Sequence, residues 1–433
     1  MLHVTSARAL ATERAFTTCP VNDSKYRGRE CPVNDPSEIR RETDQDLPQS
    51  ANVLELFYDL VFVFTITQVS HLLATHLTWM GAVQSIIVLL AVWWSWNYTT
   101  WFTDEVNPES TLIRVFMIGL MLLSLLMAVS VPQAFGSHAL LFAFAYVTIQ
   151  VGRHSFLTFV AAARGTIERE RSGGVLIWFA VAGVFWIGGA FADGGWRIAL
   201  WILAVIVDYG APLLLFWLPG RPRLTGNTWS VMPEHFNERF QLFIIIALGE
   251  TIVVTGSTLS ALNINSDRIV ALALAFIGTT ALWWLYFSSG AEYAHQYLDA
   301  ADDQGLLARD AYTYAHVVLV AGIIVSAVGD EFVIAHPNDH LTHAQLAVVI
   351  LGPILYLLAQ IYITWRMARY ISWPRVGGAI GLIFAGVMGV FVSAMFVSAL
   401  LLAVLVSIIV FEYLFPSQRF GPHPDVQEEG SPA

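Results

Sequence analysis

Glu250 is the residue of this chain whose setting most demands a chemical explanation. It stands in Ile-Ala-Leu-Gly-Glu-Thr-Ile-Val-Val-Thr-Gly (246–256), about thirteen residues into an apolar run at 237–260. At 1.5 Å per residue that depth is near the middle of a bilayer. A carboxylate there costs roughly 2.5–3.5 kcal/mol on insertion scales, so it needs a reason to be kept. It can bind a proton or cation, touch a substrate, or lock two helices as half of an ion pair. Arg239 and Ser257, eleven residues before and seven after, lie on nearly the same helix face.

Glu55 and Asp59 are four residues apart in the first apolar run and share a face. Two like charges so placed repel, so either a cation stands between them or one acid holds a proton. Arg114 and Arg153 are the cations expected at similar depth. Tyr146, Gln150 and Arg153 recur at i, i+4 and i+7, a polar stripe that must face protein or water. The expectation is one polar cluster in the inner half of the first six-helix set, serving either transport or the anchoring of helices.

Weaker signals are set aside. His336, His340 and His343, preceded by Asp330 and Glu331, have metal-ligand residue types, but in a short solvated loop they read as ordinary polar residues. Trp93, Trp94, Trp96 and Trp101 fit an interfacial aromatic belt. Gly377 and Gly381 form a small-xxx-small pair. Cys19 and Cys31 each sit in Cys-Pro-Val-Asn-Asp within a polar tail and read as a local duplication. Phosphate-loop, dinucleotide and Ser-nucleophile motifs are not found in a suitable context. No catalytic residue, cofactor or metal ligand is assigned.

The elements that carry these residues are membrane spans. The chain is 56% hydrophobic and 13% charged, about half the charge of a soluble domain. Its mean hydropathy is +0.61, and its apolar residues gather into runs long enough to cross a bilayer. The formal net charge of −11 comes from loops and tails, and nothing resembles a basic nucleic-acid surface. Apolar runs at 53–76, 80–102, 111–131, 138–163, 174–191 and 196–219 are followed, after a Pro/Gly-rich break at 220–236, by 237–260, 267–290, 310–331, 342–365, 375–393 and 396–414. The fold class expected is an all-α polytopic membrane protein of about twelve transmembrane helices.

The two sets of six also share landmarks. Trp93-Trp94 recurs as Trp283-Trp284, Ser-His-Ala at His138 as Thr-His-Ala at His343, and Asp208-Tyr209 as Glu412-Tyr413. Two parallel six-helix repeats are expected, residues 51–219 and 237–414, joined by a linker at 220–236. Arginines favour one side: 164, 169, 171, 221, 223, 366, 369 and 375, against 197 and 268 on the other. That bias places both termini, the tails at 1–50 and 415–433, in the cytoplasm. Residues 1–50 hold seven Lys or Arg and lack the apolar centre of a signal peptide.

The run Leu54-Glu55-Leu56-Phe57-Tyr58-Asp59-Leu60-Val61-Phe62-Val63-Phe64, followed by Thr67-Gln68-Val69, resembles the opening signature of the bacterial low temperature requirement protein A family. Arg114-Val115-Phe116-Met117, Met127-Ala128-Val129-Ser130-Val131-Pro132, Ala247-Leu248-Gly249-Glu250 and Val253-Val254-Thr255-Gly256 are similar to that family too, and the likeness covers most of residues 51–414. The resemblance implies a polytopic protein of the bacterial inner membrane, linked by name to growth in the cold. It carries over no catalytic residues, but it places Glu55, Asp59 and Glu250 within recognisable motifs. The function expected is a proton- or cation-coupled secondary transporter of a small solute or ion. The site candidates are Glu250, Asp59, Glu55, Arg153, Arg114 and Gln150. The alternatives are a membrane-embedded enzyme acting on lipid, or a channel or stress-related membrane protein. The partner common to all of these is the lipid bilayer.

Overall fold

The computed structural model describes residues 51–221, 223–229, 231–288 and 294–415. The segment 1–50 with both cysteines, and residues 416–433, lie outside the described residues. Six helices come first: α1 Val53–Thr75, α2 Trp79–Glu105, α3 Thr111–Ser130, α4 Ala139–Phe156, α5 Ile167–Phe191 and α6 Gly195–Gly210. After the linker come α7 Pro233–Ser260, α8 Ser266–Phe287, the short α9 Ala294–Asp299 and α10 Gln304–Leu307, then α11 Ala315–Ala335, α12 His343–Ala368, α13 Trp373–Gly389 and α14 Ala394–Leu414. A π-helical turn joins α10 to α11, so that Gln304–Ala335 is one continuous crossing. Eleven of these segments are long and apolar enough to span a bilayer, and α13, an apolar helix of 17 residues, packs beside α14. The expected all-α membrane architecture is the one found.

Successive crossings alternate between two ends. One, the linker end, carries residues 106–110, 162–166, 215–221, 223–229 and 231–232. The far end carries 76–78, 192–194, 261–265 and 336–342. Two crossings begin six or more residues earlier than expected. The fifth starts at Ile167 rather than 174, capped by the Thr166 hydroxyl, which draws Arg169 and Arg171 out of a loop and into its first turns. The crossing expected at 310–331 starts at Gln304.

Gln304–Ala335 is the most enclosed crossing, with 67% of its apolar window buried. Around the bundle, Val115, Leu122, Val184, Ile380 and Phe384 face outward, as lipid-facing residues must. The tryptophans correct an expectation. Trp93, Trp94 and Trp96 are 1% exposed or less, so they form no interfacial belt. Their rings pack on Phe240 and Phe243 of α7 and on Tyr209 of α6, because α2 is an interior helix rather than a peripheral one. The matching Trp283 and Trp284 are 43% and 44% exposed.

Glycine governs the closest helix contact. A Cβ on Gly352 of α12 would stand 2.6 Å from the backbone nitrogen of Ser326 in α11, and one on Gly322 would stand 2.7 Å from that of Tyr356. Of the pair expected to mediate packing, Gly377 faces open space, and Gly378 and Gly381 are the ones that meet α14. Gly352→Ala should therefore lower stability by about 1–3 kcal/mol through overpacking against backbone. Gly119→Ala, with nothing within 4 Å of its new Cβ, should be neutral or stabilising. Thermal unfolding of both variants in detergent, followed by tryptophan fluorescence, checks this. Equal midpoints would remove the close-contact argument.

Candidate functional site

α1 and α7 lie side by side and run the same way. Four polar contacts join the two segments: Ala51, just ahead of α1, to Glu238, then Glu55 to His235, Asp59 to Arg239 and Thr67 to Glu250. The local sequence builds both starts. Asn52 caps α1, its side chain accepting the Leu54 N–H while Glu55 accepts the Asn52 N–H. Pro233 opens α7, where its missing N–H costs nothing.

The first two charged contacts are fully paired. Arg239 donates through Nη1 and Nη2 to the two oxygens of Asp59 at 2.6 and 2.8 Å. The Trp96 indole N–H adds a third bond to Asp59 at 2.8 Å, and its ring lies 5.9 Å from the guanidinium carbon. His235 stands between two acids, Nε2 3.0 Å from Glu55 and Nδ1 3.0 Å from Asp104. Asp104 also accepts the Met232 N–H. These charged groups are all buried.

The basic side chains beside Glu55 and Asp59 are thus His235 and Arg239, not Arg114 and Arg153. Arg114 is exposed and donates to the Pro108 carbonyl. Arg153 is buried and belongs to another network, donating to Gln150, the Thr99 hydroxyl and the Ser95 carbonyl. That network continues from Gln150 to Tyr146 and from Tyr146 to Asp208, which also accepts the Trp186 N–H. Five arginines are buried among the described residues: 153, 171, 197, 239 and 375. Four of them lie within 4 Å of a carboxylate, and only Arg153 does not.

Glu250 is separate again. It is 1% exposed and meets neither Arg239 nor Ser257. One oxygen is 2.6 Å from the Thr67 hydroxyl and the other has no partner. Ser70 lies beside it but donates to the Ile66 carbonyl. Thr67 has one proton and two acceptors in reach, Glu250 and the Val63 carbonyl. A neutral Glu250 donating to Thr67, while Thr67 donates to Val63, satisfies every group but one oxygen. Chemically the arrangement can hold a proton between two helices.

Residues 50–410 match the family described as Bacterial low temperature requirement A protein (LtrA). The chain belongs to that family. It is 32% identical over 378 residues to the uncharacterized protein RA0937 of Rhizobium meliloti (strain 1021), covering 87% of this chain and 91% of that one. No solved structure matches. As an LtrA protein with these helices it is a multi-pass membrane protein.

Four participants were not among the site candidates read from the sequence: His235, Asp104, Trp96 and Asp208. His235 and Asp104 lie at the ends of apolar runs, where polarity is unremarkable, and their partner Glu55 is 180 residues from His235. The signal available was the i, i+4 spacing of His235 and Arg239, which mirrors Glu55 and Asp59. The histidine loop forms no group of three or more metal-ligating side chains among the described residues. His336 there pairs with Asp339, both exposed.

Removing one partner of a buried pair strands the other's charge, at a cost of about 3–5 kcal/mol. Arg239→Gln should therefore lose most of the folded protein recovered in detergent, and adding Asp59→Leu to Arg239→Leu should restore much of it. Size-exclusion yield and thermal midpoint measure both. A double variant as poor as the single one would show that the pair is needed for more than charge balance.

Proposed function

We propose that the protein is a secondary transporter driven by a proton or cation gradient, with Glu250 as the group that takes up and releases the coupling proton. The observation that carries this reading is the missing counter-charge. At the same helix seam, Glu55 and Asp59 are held by His235 and Arg239, whereas among the described residues Glu250 faces hydroxyls alone, those of Thr67 and Ser70. A fixed ion pair explains the first two as structure. A carboxyl at bilayer depth without a cation is explained by a proton that comes and goes.

The parallel α1–α7 seam supports a duplicated frame. The first helices of two parallel repeats meet about an axis along the membrane normal, and sites in such proteins lie where the repeats meet. Gln150 and Arg153 form a second polar path within the first half. The arginines are consistent with a linker end in the cytoplasm and with residence in the bacterial inner membrane: 164, 169, 171, 221, 223, 366, 369 and 375 lie there, and 197 and 268 lie toward the far end. We assign the protein no catalytic chemistry; its partners are the lipid bilayer and a small solute or ion.

Liposomes containing the purified protein and an internal pH dye, given a pH gradient and a panel of amino acids, sugars and organic acids, should show solute-dependent proton movement. Glu250→Gln should reduce that flux at least tenfold while folding normally, since the amide keeps a bond to Thr67. Flux of unchanged size in Glu250→Gln would remove Glu250 from the mechanism, and no solute- or pH-dependent flux in the unaltered protein would remove the transporter.

A further inference from the structure

A second acid in the membrane has no partner at all. Asp330 lies in α11, five residues from its far end, and not in the histidine loop that follows. Among the described residues it makes no hydrogen bond or ion pair. It lines a cavity of about 40 Å³, room for an ion and one or two waters. The walls come from α8, α11, α12 and α14 and are mainly Leu, Val and Gly. Their polar members are Thr279, Ser326, Asp330 and Ser398, and Val349 and Pro353 complete the α12 wall.

The hydrogen-bond count of those walls is one-sided. Ser326 donates its proton to the Gly322 carbonyl, 2.8 Å away. Thr251 donates to the Leu248 carbonyl at 2.7 Å, so in its 2.8 Å contact with Thr279 the proton comes from Thr279. The Ser326 and Thr279 hydroxyls therefore offer lone pairs only. Pro353 stands inside α12 and has no N–H for the carbonyl four residues back, that of Val349, and Val349 is itself one of the residues lining the cavity. The Asp330 carboxylate adds two further acceptors. Only the Ser398 hydroxyl is free to turn its proton.

We propose that this cavity is a binding site for one monovalent alkali cation of sodium's class. Hard cations take oxygen ligands, and a cavity walled by acceptors in apolar surroundings is stabilised by a positive charge. A single carboxylate balances one unit of charge. A divalent ion would leave its second charge buried, and no cluster of three or more His, Cys, Asp or Glu among the described residues offers to hold one. Ser326 is fixed by the close packing of Gly352 and Gly322 between α11 and α12, so the ligands stand on rigid elements. The Thr279–Thr251 contact places the residue after Glu250 one hydroxyl away from the site. The purpose of the site rests on the coupled-transporter reading, but the site itself is read by equilibrium binding, so the two can fail separately.

The test uses the full chain in detergent, with thermal unfolding followed by tryptophan fluorescence at constant ionic strength in choline chloride. Replacing choline with sodium should raise the midpoint saturably, as a ligand bound only by the folded state does. Asp330→Asn should abolish that rise. Should Asp330→Asn fail to fold, Pro353→Ala serves instead. It returns a helical N–H to the Val349 carbonyl and should shift the sodium midpoint at least several-fold to higher concentration without lowering stability in choline. Glu331→Gln, outside the cavity, should respond as the unaltered protein does. A sodium response retained in Glu250→Gln, where proton flux is lost, would keep the site apart from the proton group. Sodium and choline giving the same midpoint, or a sodium response unchanged in both Asp330→Asn and Pro353→Ala, would overturn the proposal.

Discussion

Everything in this bundle turns on the absence of water to solvate a charge once a helix enters the membrane. A buried ion must find a partner, and its partner must sit on another helix if the pairing is to fix the fold. Asp59 with Arg239 ties α1 to α7, and the Trp96 indole ties both to α2. Glu55, His235 and Asp104 bind the same three helices one turn nearer the linker end. In the second half Arg375 and Glu412 join α13 to α14 in the same way. The apolar surface that forms these helices is nearly uniform around several of them, so it specifies spans but not neighbours. The charge pairs specify neighbours.

The same constraint sorts the remaining polar groups. Once the paired charges are counted as architecture, Glu250, Asp208, Asp330 and Arg153 remain without an opposite charge in contact. They do not form one cluster. Asp208 and Arg153 are linked through Tyr146 and Gln150, Glu250 stands at the α1–α7 seam, and Asp330 faces its own cavity. The landmarks repeated in sequence have diverged in the same sense. Trp94 stacks on Tyr209 at 3.8 Å in the core while Trp284 faces outward. Asp208 accepts neutral donors while Glu412 holds an arginine. What the two sets share in spacing they do not share in chemistry.

The spans were legible because hydrophobic length is a local property, read within twenty residues. The burial of Glu55, Asp59, Gln150, Arg153 and Glu250 was legible for the same reason. Their partners were not, because pairing is a matter of which helix lies alongside. Asp59 and Arg239 are 180 residues apart, and a cation nearer in sequence, Arg114, has the same formal credentials. The tryptophans failed for a related reason: an aromatic cluster near a helix end is as compatible with an interior seam as with the lipid interface, and only the position of α2 within the bundle decides. Asp330 fell inside the span expected at 310–331 but was weighed only for the histidine loop that it precedes, because the sequence does not show which neighbouring helices wall a cavity around it.

These placements give the central seam a direction. At the linker end α1 and α7 are joined by charged pairs, and separating them would strand Asp59 and Arg239 in an apolar medium. At Thr67 and Glu250 the contact is a single hydrogen bond between groups that are neutral when Glu250 holds a proton. Further along, Leu73 of α1 packs not on α7 but with Val328 of α11 and Val348 of α12, contacts that are non-directional and tolerate sliding. Pulling α1 from α7 therefore costs most at the linker end and least toward the far end. Glu250 sits at the boundary between the two regimes, where a charge appearing or disappearing changes the balance most.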